Sequence, residues 1–363
     1  MKSVLFIGSF KRPKEGAYGG VHFASTNLRS AMKFNNFEII ELDTTLHSIH
    51  ETRVFYRLPS LFIRSIIFLW NIATNWKAKN LIVFVSAGNS YLDKLPSIIL
   101  AKILGKNVIL FPRSGFVIRD YENYNYKVLI GWVMKLSDFV VCQSDFWKKF
   151  FIGKKVSSDK LIVVENWVNE HTIAKSKEIL FKQYLPGDRV YKLVYVSRIE
   201  IAKGVNDIVE LAKILKDKFP LEISIYGDGS YAKELQIEID KFGLNNIVKI
   251  KGWLGQKKMQ NVINEHHVAL FTSRFEGYPN ALLDYIFSKI PIIAADIPTV
   301  KAVGRDLITY YDAGNSEQLA EKVIWSRNNY SEILKMAERL ISDKESNNNL
   351  LNQTANIIKL LKQ

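Results

Sequence analysis

Two acids and two bases in the second half of the chain are spaced for work on a ligand that carries both hydroxyls and phosphate. The acids are Glu276 and Asp284, in the run Thr272-Ser273-Arg274-Phe275-Glu276-Gly277-Tyr278-Pro279-Asn280-Ala281-Leu282-Leu283-Asp284. The apolar stretch Val268–Phe271 before them reads as a buried strand, and a helix-like run opens at Asn280. Glu276 therefore falls in a strand-to-helix loop, and Asp284 falls inside the helix. Backbone N–H groups at a helix start lie between them, where an anion is favoured. The bases are Arg198 and Lys203, in Tyr195-Val196-Ser197-Arg198-Ile199-Glu200-Ile201-Ala202-Lys203-Gly204, at the end of another apolar strand. Arginine offers a planar fork and lysine a compact charge, so the pair can grip a diphosphate from two sides and neutralise it without a divalent metal. Two surface cations beside a turn is the plainer alternative. A nucleotide sugar has the chemistry that all four side chains suit.

Such residues need elements to hold them. Short β-rich apolar runs fall at Val4–Phe10, Phe37–Leu42, Leu81–Val85, Val108–Phe111, Phe139–Cys142 and Ile162–Val164. A second series falls at Leu193–Val196, Leu221–Tyr226, Ile247–Ile250, Val268–Phe271, Ile290–Ala294 and Leu307–Tyr311. Segments of helical period lie between them, such as Asp207–Phe219 and Tyr231–Phe242. This alternation, with strands apolar on both faces, predicts an α/β chain of parallel sheets covered on both sides. At 363 residues the chain exceeds what one core ordinarily serves. Two doubly wound domains are expected, with ligand crevices at the carboxyl ends of their strands. The boundary is expected between Glu170 and Tyr191, a polar, lysine-rich stretch holding the turn signal Pro186-Gly187-Asp188. Apolar spacing from Asn347 to Gln363 predicts a terminal helix docked on one domain.

Two glycine loops add weaker signals. Gly227-Asp228-Gly229 follows an apolar strand and can admit a ligand to the backbone, although most such turns merely begin the next helix. In the first half, Gly16-Ala17-Tyr18-Gly19-Gly20-Val21-His22 joins the first strand to a helix beginning near Phe23. Its adjacent glycines can bring N–H groups against phosphate or sugar. The spacing does not match the G-x-G-x-x-G dinucleotide fingerprint, which argues against a nicotinamide dehydrogenase.

A composition 48% hydrophobic and 24% charged is globular. The single cysteine, Cys142, excludes a disulfide framework and a cysteine-based metal cluster, and its apolar setting predicts a buried thiol in a reducing cytoplasm. Met1–Gly8 has too short an apolar run for a secretion signal and is expected to be the first strand. Leu58–Trp76 approaches membrane-spanning length but contains Arg64 and Asn71. A helix packed on a sheet is expected there, with one face against a bilayer as an option. Of the net charge of +14, residues 1–170 hold most, with 23 Lys and Arg against 13 Asp and Glu. The patches Lys11-Arg12 with Lys14, and Lys148-Lys149 with Lys154-Lys155, suit anionic lipid headgroups or phosphorylated substrates, or are simply solvated. No nucleic-acid module signature appears, and no nucleic-acid partner is expected.

Together these motifs resemble the retaining GT-B glycosyltransferases of the family-4 kind, glycosyl transferases group 1, over essentially the whole chain. The marks are Gly19-Gly20, Ser197-Arg198 with Lys203-Gly204, Gly227-Asp228-Gly229, Lys251-Gly252-Trp253, and Glu276-Gly277-Tyr278-Pro279-Asn280 with Asp284. The resemblance implies two facing Rossmann-like domains. Residues 1–172 would bind the acceptor, completed by a helix of about 347–363 crossing back, and residues 190–346 would bind the donor. It assigns Arg198 and Lys203 to the donor diphosphate and Glu276 to hydroxyls of the donor sugar, and these three are expected to carry catalysis. Gly277, Tyr278, Pro279 and Asn280 are implied beside the sugar and its phosphate, Gly19, Gly20 and Gly229 elsewhere in the donor pocket, and Trp253 near the base. Asp284 stands where the family usually has a glutamate on the ribose hydroxyls, and is one methylene shorter. Phe111-Pro112-Arg113-Ser114-Gly115 resembles a cleft loop in which many members have histidine, so Arg113 is expected, with His22, on the acceptor or phosphate side.

The resemblance further implies a nucleotide-diphosphate sugar as donor, UDP preferred over GDP, with no cofactor and no metal. It implies a lipid-linked or oligosaccharide acceptor in surface polysaccharide or lipopolysaccharide synthesis. Action is then expected at the cytoplasmic face of the plasma membrane, the basic first half meeting an anionic membrane surface. With no clear nucleophile beyond Glu276, front-face transfer is expected, the departing diphosphate helping to deprotonate the acceptor hydroxyl. The alternatives are a soluble transferase with a small acceptor and a degenerate, non-catalytic nucleotide-sugar binder.

Overall fold

The computed structural model describes residues 2–11, 20–45, 54–168, 170–184, 189–348 and 350–362. Contacts divide the chain into two compact units, residues 1–167 with 350–363, and residues 168–349.

In the first unit the order is β1 (Lys2–Gly8), α1 (Gly20–Phe34), β2 (Phe37–Asp43), α2 (Val54–Thr74), β3 (Asn80–Val85) and α3 (Asn89–Ile103). There follow β4 (Asn107–Pro112), α4 (Phe116–Glu122), α5 (Tyr124–Leu136), β5 (Phe139–Cys142), α6 (Asp145–Gly153) and β6 (Leu161–Val163). The six strands pair in parallel in the order β2-β1-β3-β4-β5-β6. Side chains alternate between the faces of a strand, so each strand feeds two cores. Leu5, Leu81, Val83 and Leu110 pack with residues of α2, α3, α5 and α6 on one face. Val4, Phe6, Ile82 and Phe111 pack with α1 on the other. The first strand ends at Gly8 rather than the expected Phe10, because Phe10 turns back and meets the Phe6 ring edge-on at 5.0 Å. Cys142 is fully buried on β5, and burial pushes its thiol up to about 12.

The second unit begins with α7 (Glu170–Glu178), β7 (Tyr191–Val196), α8 (Asn206–Leu215), β8 (Leu221–Tyr226), α9 (Ala232–Lys241), β9 (Val248–Gly252) and α10 (Gln256–Asn264). It continues with β10 (Val268–Phe271), α11 (Asn280–Phe287), β11 (Ile292–Ala295), α12 (Pro298–Gly304), β12 (Thr309–Tyr311), α13 (Ser316–Asn328) and α14 (Tyr330–Asn347). Its sheet is also six-stranded and parallel, in the order β12-β11-β10-β7-β8-β9. The last helix, α15 (Leu350–Lys362), belongs to the first unit, where Ile357, Ile358 and Leu361 enter the core beside α1.

Two segments differ from the sequence reading. Part of the lysine-rich stretch expected as a connector is α7, which packs on the second unit, Gln260 of α10 donating to the Thr172 carbonyl at 2.9 Å. The turn signal Pro186-Gly187-Asp188 lies outside the described residues. The segment from Leu58 to Trp76 is mostly α2, with Phe68 and Ile72 buried against the sheet and Arg64 paired to Asp93 of α3 at 2.8 Å. Among the described residues no helix is long and apolar enough to cross a membrane.

In the second sheet the chain winds outward in both directions from β7 and β10, which are neighbours although one starts at Tyr191 and the other at Val268. Connections leaving these two strands go to opposite halves of the sheet, and the carboxyl ends between them are left uncovered. That is the topological switch point at which doubly wound sheets hold ligands.

Candidate active site

The loops after β7 and β10 meet at this switch point and are sewn together. The Tyr195 hydroxyl donates to the carbonyl of Lys203 at 3.3 Å, and the Thr272 hydroxyl donates to the same oxygen at 2.9 Å. The Arg274 N–H donates to the Ala202 carbonyl at 3.3 Å. Gly204 allows the close approach, with φ of 67° and a position at which a Cβ would stand 2.0 Å from the Thr272 carbonyl oxygen. Only glycine fits there. Held in this way, the Lys203 ammonium reaches Glu276 Oε1 at 2.6 Å, with side chains 17% and 15% exposed. The structure thus brings together two of the three residues expected to carry catalysis, at an opening shielded enough for charge to matter.

Arg198 stands on the same β7 loop, more exposed, and pairs with Glu200 at 2.7 Å. A further cation, Arg274, lies two residues before Glu276 on the β10 loop. Its Nη2 donates to Asp207 of α8 at 2.7 Å, and Asp207, almost fully buried, is also met by the Tyr311 hydroxyl at 3.4 Å. This pair ties the β10 loop to α8 and β12, so Arg274 is a fixture of the loop that carries Glu276. The signal for it was Asp207 in the first turn of a helix of strong apolar period, a buried acid that demands a partner.

The helix α11 supports the other acid. Tyr285 is fully buried beneath the site, its hydroxyl accepting from the Val196 N–H at 2.7 Å and donating to the Leu270 carbonyl at 3.2 Å. It therefore clamps α11 to the ends of both β7 and β10. Asp284, its neighbour, has a partly buried carboxyl that faces no cation, and burial pushes it up to about 7. A carboxylate kept desolvated without a partner is costly to the fold and fit to accept hydrogen bonds from ligand hydroxyls. Gly277, Tyr278, Pro279 and Asn280 form the turn into α11, Pro279 at its N-cap and Tyr278 buried, with Asn348 Nδ2 donating to the Tyr278 hydroxyl at 3.3 Å.

Other expected residues take different places. Gly229 and Gly227 are required by the protein's own backbone: a Cβ on Gly227 would lie 1.8 Å from the Ser197 carbonyl oxygen and one on Gly229 2.3 Å from that of Ile199. These glycines let the β8 loop close on the loop that carries Arg198, a demand of the chain's own backbone. Trp253 follows β9 on the same side of the sheet and is 56% exposed.

In the first unit, Arg113 follows β4 and is built into the interior of its loop. It lies over the rings of Phe84 and Trp167, at 5.5 and 5.8 Å, and donates to Asn166 Oδ1 at 2.7 Å. Helix α1 begins at Gly20, not near Phe23, so Gly20 and His22 sit in its first turn. Gly19 lies outside the described residues. Among the described residues no group of three or more His, Cys, Asp or Glu could hold a metal ion.

Two doubly wound units, the last helix of the chain completing the first, constitute the GT-B architecture. Residues 176–347 match the family described as glycosyl transferases group 1. An uncharacterised glycosyltransferase of Methanocaldococcus jannaschii is 26% identical over 219 residues, 56% of this chain and 53% of that one. The lipopolysaccharide 1,6-galactosyltransferase of Salmonella typhimurium is 27% identical over 169 residues, 44% and 43% of the two chains. The chain therefore spans about half the length of these relatives. Among solved structures, that of Anabaena HepE in complex with UDP superposes over 100% of both chains with a TM-score of 0.74 at 14% identity, a likeness of fold.

Proposed function

We propose that the protein is a retaining, metal-independent glycosyltransferase that moves a sugar from a nucleotide-diphosphate donor, UDP-linked in preference to GDP-linked, to a lipid-linked glycan in bacterial surface-polysaccharide synthesis. The observation that carries this reading is the Lys203–Glu276 pair at the β7/β10 switch point. In the ligand-free protein each neutralises the other. A donor separates their duties, its diphosphate taking the Lys203 ammonium and Arg198 while its sugar hydroxyls donate to Glu276, so neither charge is left unpaired. Asp284 then accepts from the ribose hydroxyls, exchanging an unpartnered carboxylate for a hydrogen-bonded one.

In the transfer step the bond between the anomeric carbon and the diphosphate oxygen breaks, and a bond to the acceptor oxygen forms on the same face of the sugar. The acceptor proton passes to the departing diphosphate. Lys203 and Arg198, once gathered on the diphosphate, stabilise the negative charge that grows there. The UDP preference draws support from the Anabaena structure, which holds UDP, and the acceptor class from the Salmonella relative's action on lipopolysaccharide.

The test is a thermal-shift panel of nucleotides and nucleotide sugars with and without magnesium, followed by determination of the anomeric configuration of the product. Stabilisation by one nucleoside diphosphate, unchanged by magnesium and lost in Arg198→Ala, supports the reading. An inverted product, or near-normal turnover by Arg198→Ala, rejects the mechanism.

A further inference from the structure

The outer helical layer of the first unit is apolar on its solvent side, as a globular surface helix is not. Helix α2 buries Phe68 and Ile72 toward the sheet, yet Phe62, Ile66 and Trp70, each one helical turn from the next, point outward, Trp70 being 69% exposed. Helix α3 does the same, with Leu92, Ile99 and Ile103 outward and Ile98 and Ala101 in the core. Helix α5 repeats it with Tyr124, Val128 and Trp132 outward and Ile130 and Val133 inward. Because α3 packs against both α2 and α5, the three stripes adjoin. Single exposed apolar residues are ordinary, but a continuous surface of this kind marks an interaction site.

Charge identifies the partner. On α5 Lys127 and Lys135 are exposed, and the sequences of α2 and α5 contain no acid. The one acid of α3, Asp93, is held by Arg64 and Lys94. Just beyond α2, Trp76 is exposed with the Lys77 ammonium 5.6 Å from its ring centre, the combination that sits at the boundary between acyl chains and headgroups. Apolar stripes flanked by Lys77, Lys127 and Lys135, with Asp93 already paired, complement an anionic bilayer, which offers both an apolar interior and negative headgroups.

We propose that the outward face of α2, α3 and α5 docks the first unit on an anionic membrane surface, its apolar stripes immersed at the acyl boundary and its lysines at headgroup level. This deepens the lipid-linked acceptor of the reading above and rests on that reading only for its purpose, since docking needs no substrate.

The experiment floats the full-length protein with vesicles of phosphatidylcholine alone, or mixed with phosphatidylglycerol. Wild type is expected to bind the anionic vesicles better, and the double substitution Ile66→Ser with Trp70→Ser to weaken that binding at least about tenfold. Trp70→Phe is expected to keep it. Lipids brominated on their acyl chains are expected to quench part of the tryptophan emission, less so in Trp132→Phe. All these side chains are exposed, and an unchanged melting profile checks the fold. Equal flotation of wild type and the double variant overturns the proposal. So does a wild type that ignores vesicles and instead dimerises, with the double variant monomeric, which would give the face to a second copy of the chain. Flotation without any sugar transfer would strike the transferase reading and leave the docking surface standing.

Discussion

Asp284→Asn is expected to stabilise the second unit at neutral pH while weakening nucleotide binding. Burial raises this carboxyl from 3.8 to about 7 with no compensating cation. Each unit of such a shift corresponds to about 1.4 kcal/mol, so carrying the charge above pH 7 costs at most about 4 kcal/mol, and about 1–3 kcal/mol after allowance for the part still open to water. The sign follows from the order of the two values, the folded one lying above the unfolded one. Below pH 4 both states hold the proton and the substitution changes nothing through ionisation. Between pH 4 and 7 the unfolded chain loses its proton first, and the penalty on the folded state grows until it levels off above 7. Calorimetry at pH 4, 6 and 8 should therefore show the variant's advantage near zero, then rising, then constant, reaching roughly 2–8 °C in the melting midpoint. A hydrogen bond to a charged acceptor exceeds one to a neutral acceptor by about 1 kcal/mol, so UDP affinity should fall about five- to tenfold. Ribose hydroxyls donating to the carboxylate would also lower its pKa, so that UDP binding releases at pH 6.5 a proton that the variant does not release. A variant less stable than wild type at pH 8, or an advantage independent of pH, would refute the reasoning.

Lys203→Met leaves Glu276 unpaired where it is only 15% exposed, and should cost about 1–3 kcal/mol in urea unfolding and at least about a hundredfold in kcat/KM. Adding Glu276→Gln should recover much of the stability and none of the turnover; equal stability losses that simply add would show the pair to be uncoupled. Gly204→Ala forces a Cβ to within 2.0 Å of the Thr272 carbonyl oxygen at a φ of 67°, and should destabilise by about 3 kcal/mol or more, as a shifted unfolding midpoint would register. The Cys142 thiol, buried and pushed up to about 12, should resist a thiol-specific disulfide reagent at pH 8 in the folded protein and react fully in denaturant; fast labelling of native protein would contradict its place in the core.

The strands were legible because a doubly covered parallel strand must be apolar along its whole length. All twelve expected runs overlap an observed strand, from Val4 in β1 to Tyr311 in β12. Ends were less so. Whether the chain continues past Gly8 depends on Phe10 finding Phe6, and the lysine-rich segment after residue 168 became α7 because Thr172 and its neighbours had a surface to pack on. Motif glycines were visible but their reason was not. Gly227 and Gly229 signalled a close approach, and only the fold showed the approaching group to be the Ser197 and Ile199 backbone. Arg113 illustrates the opposite case, a residue marked by its loop whose guanidinium the structure places over Phe84 and Trp167 and against Asn166.

The order of elements, the glycine turns and the types of the charged residues are properties of short stretches of chain, set by side-chain period and backbone sterics, and they follow from the amino-acid sequence alone. Distance and environment belong to the tertiary structure. Lys203 and Glu276 are 73 residues apart and meet because β7 and β10 are neighbours in the sheet. Asp284 is an ordinary carboxyl until α11 is pressed, through Tyr285, against the ends of those strands and water is withdrawn from it. The helix α2 likewise has apolar residues on every side in sequence, and only packing decides that Phe68 faces the sheet while Trp70 faces outward. In each case the physical reason is the same, for electrostatic and hydrophobic free energies depend on which groups lie within a few ångströms and how much water remains, and contacts between distant segments set both.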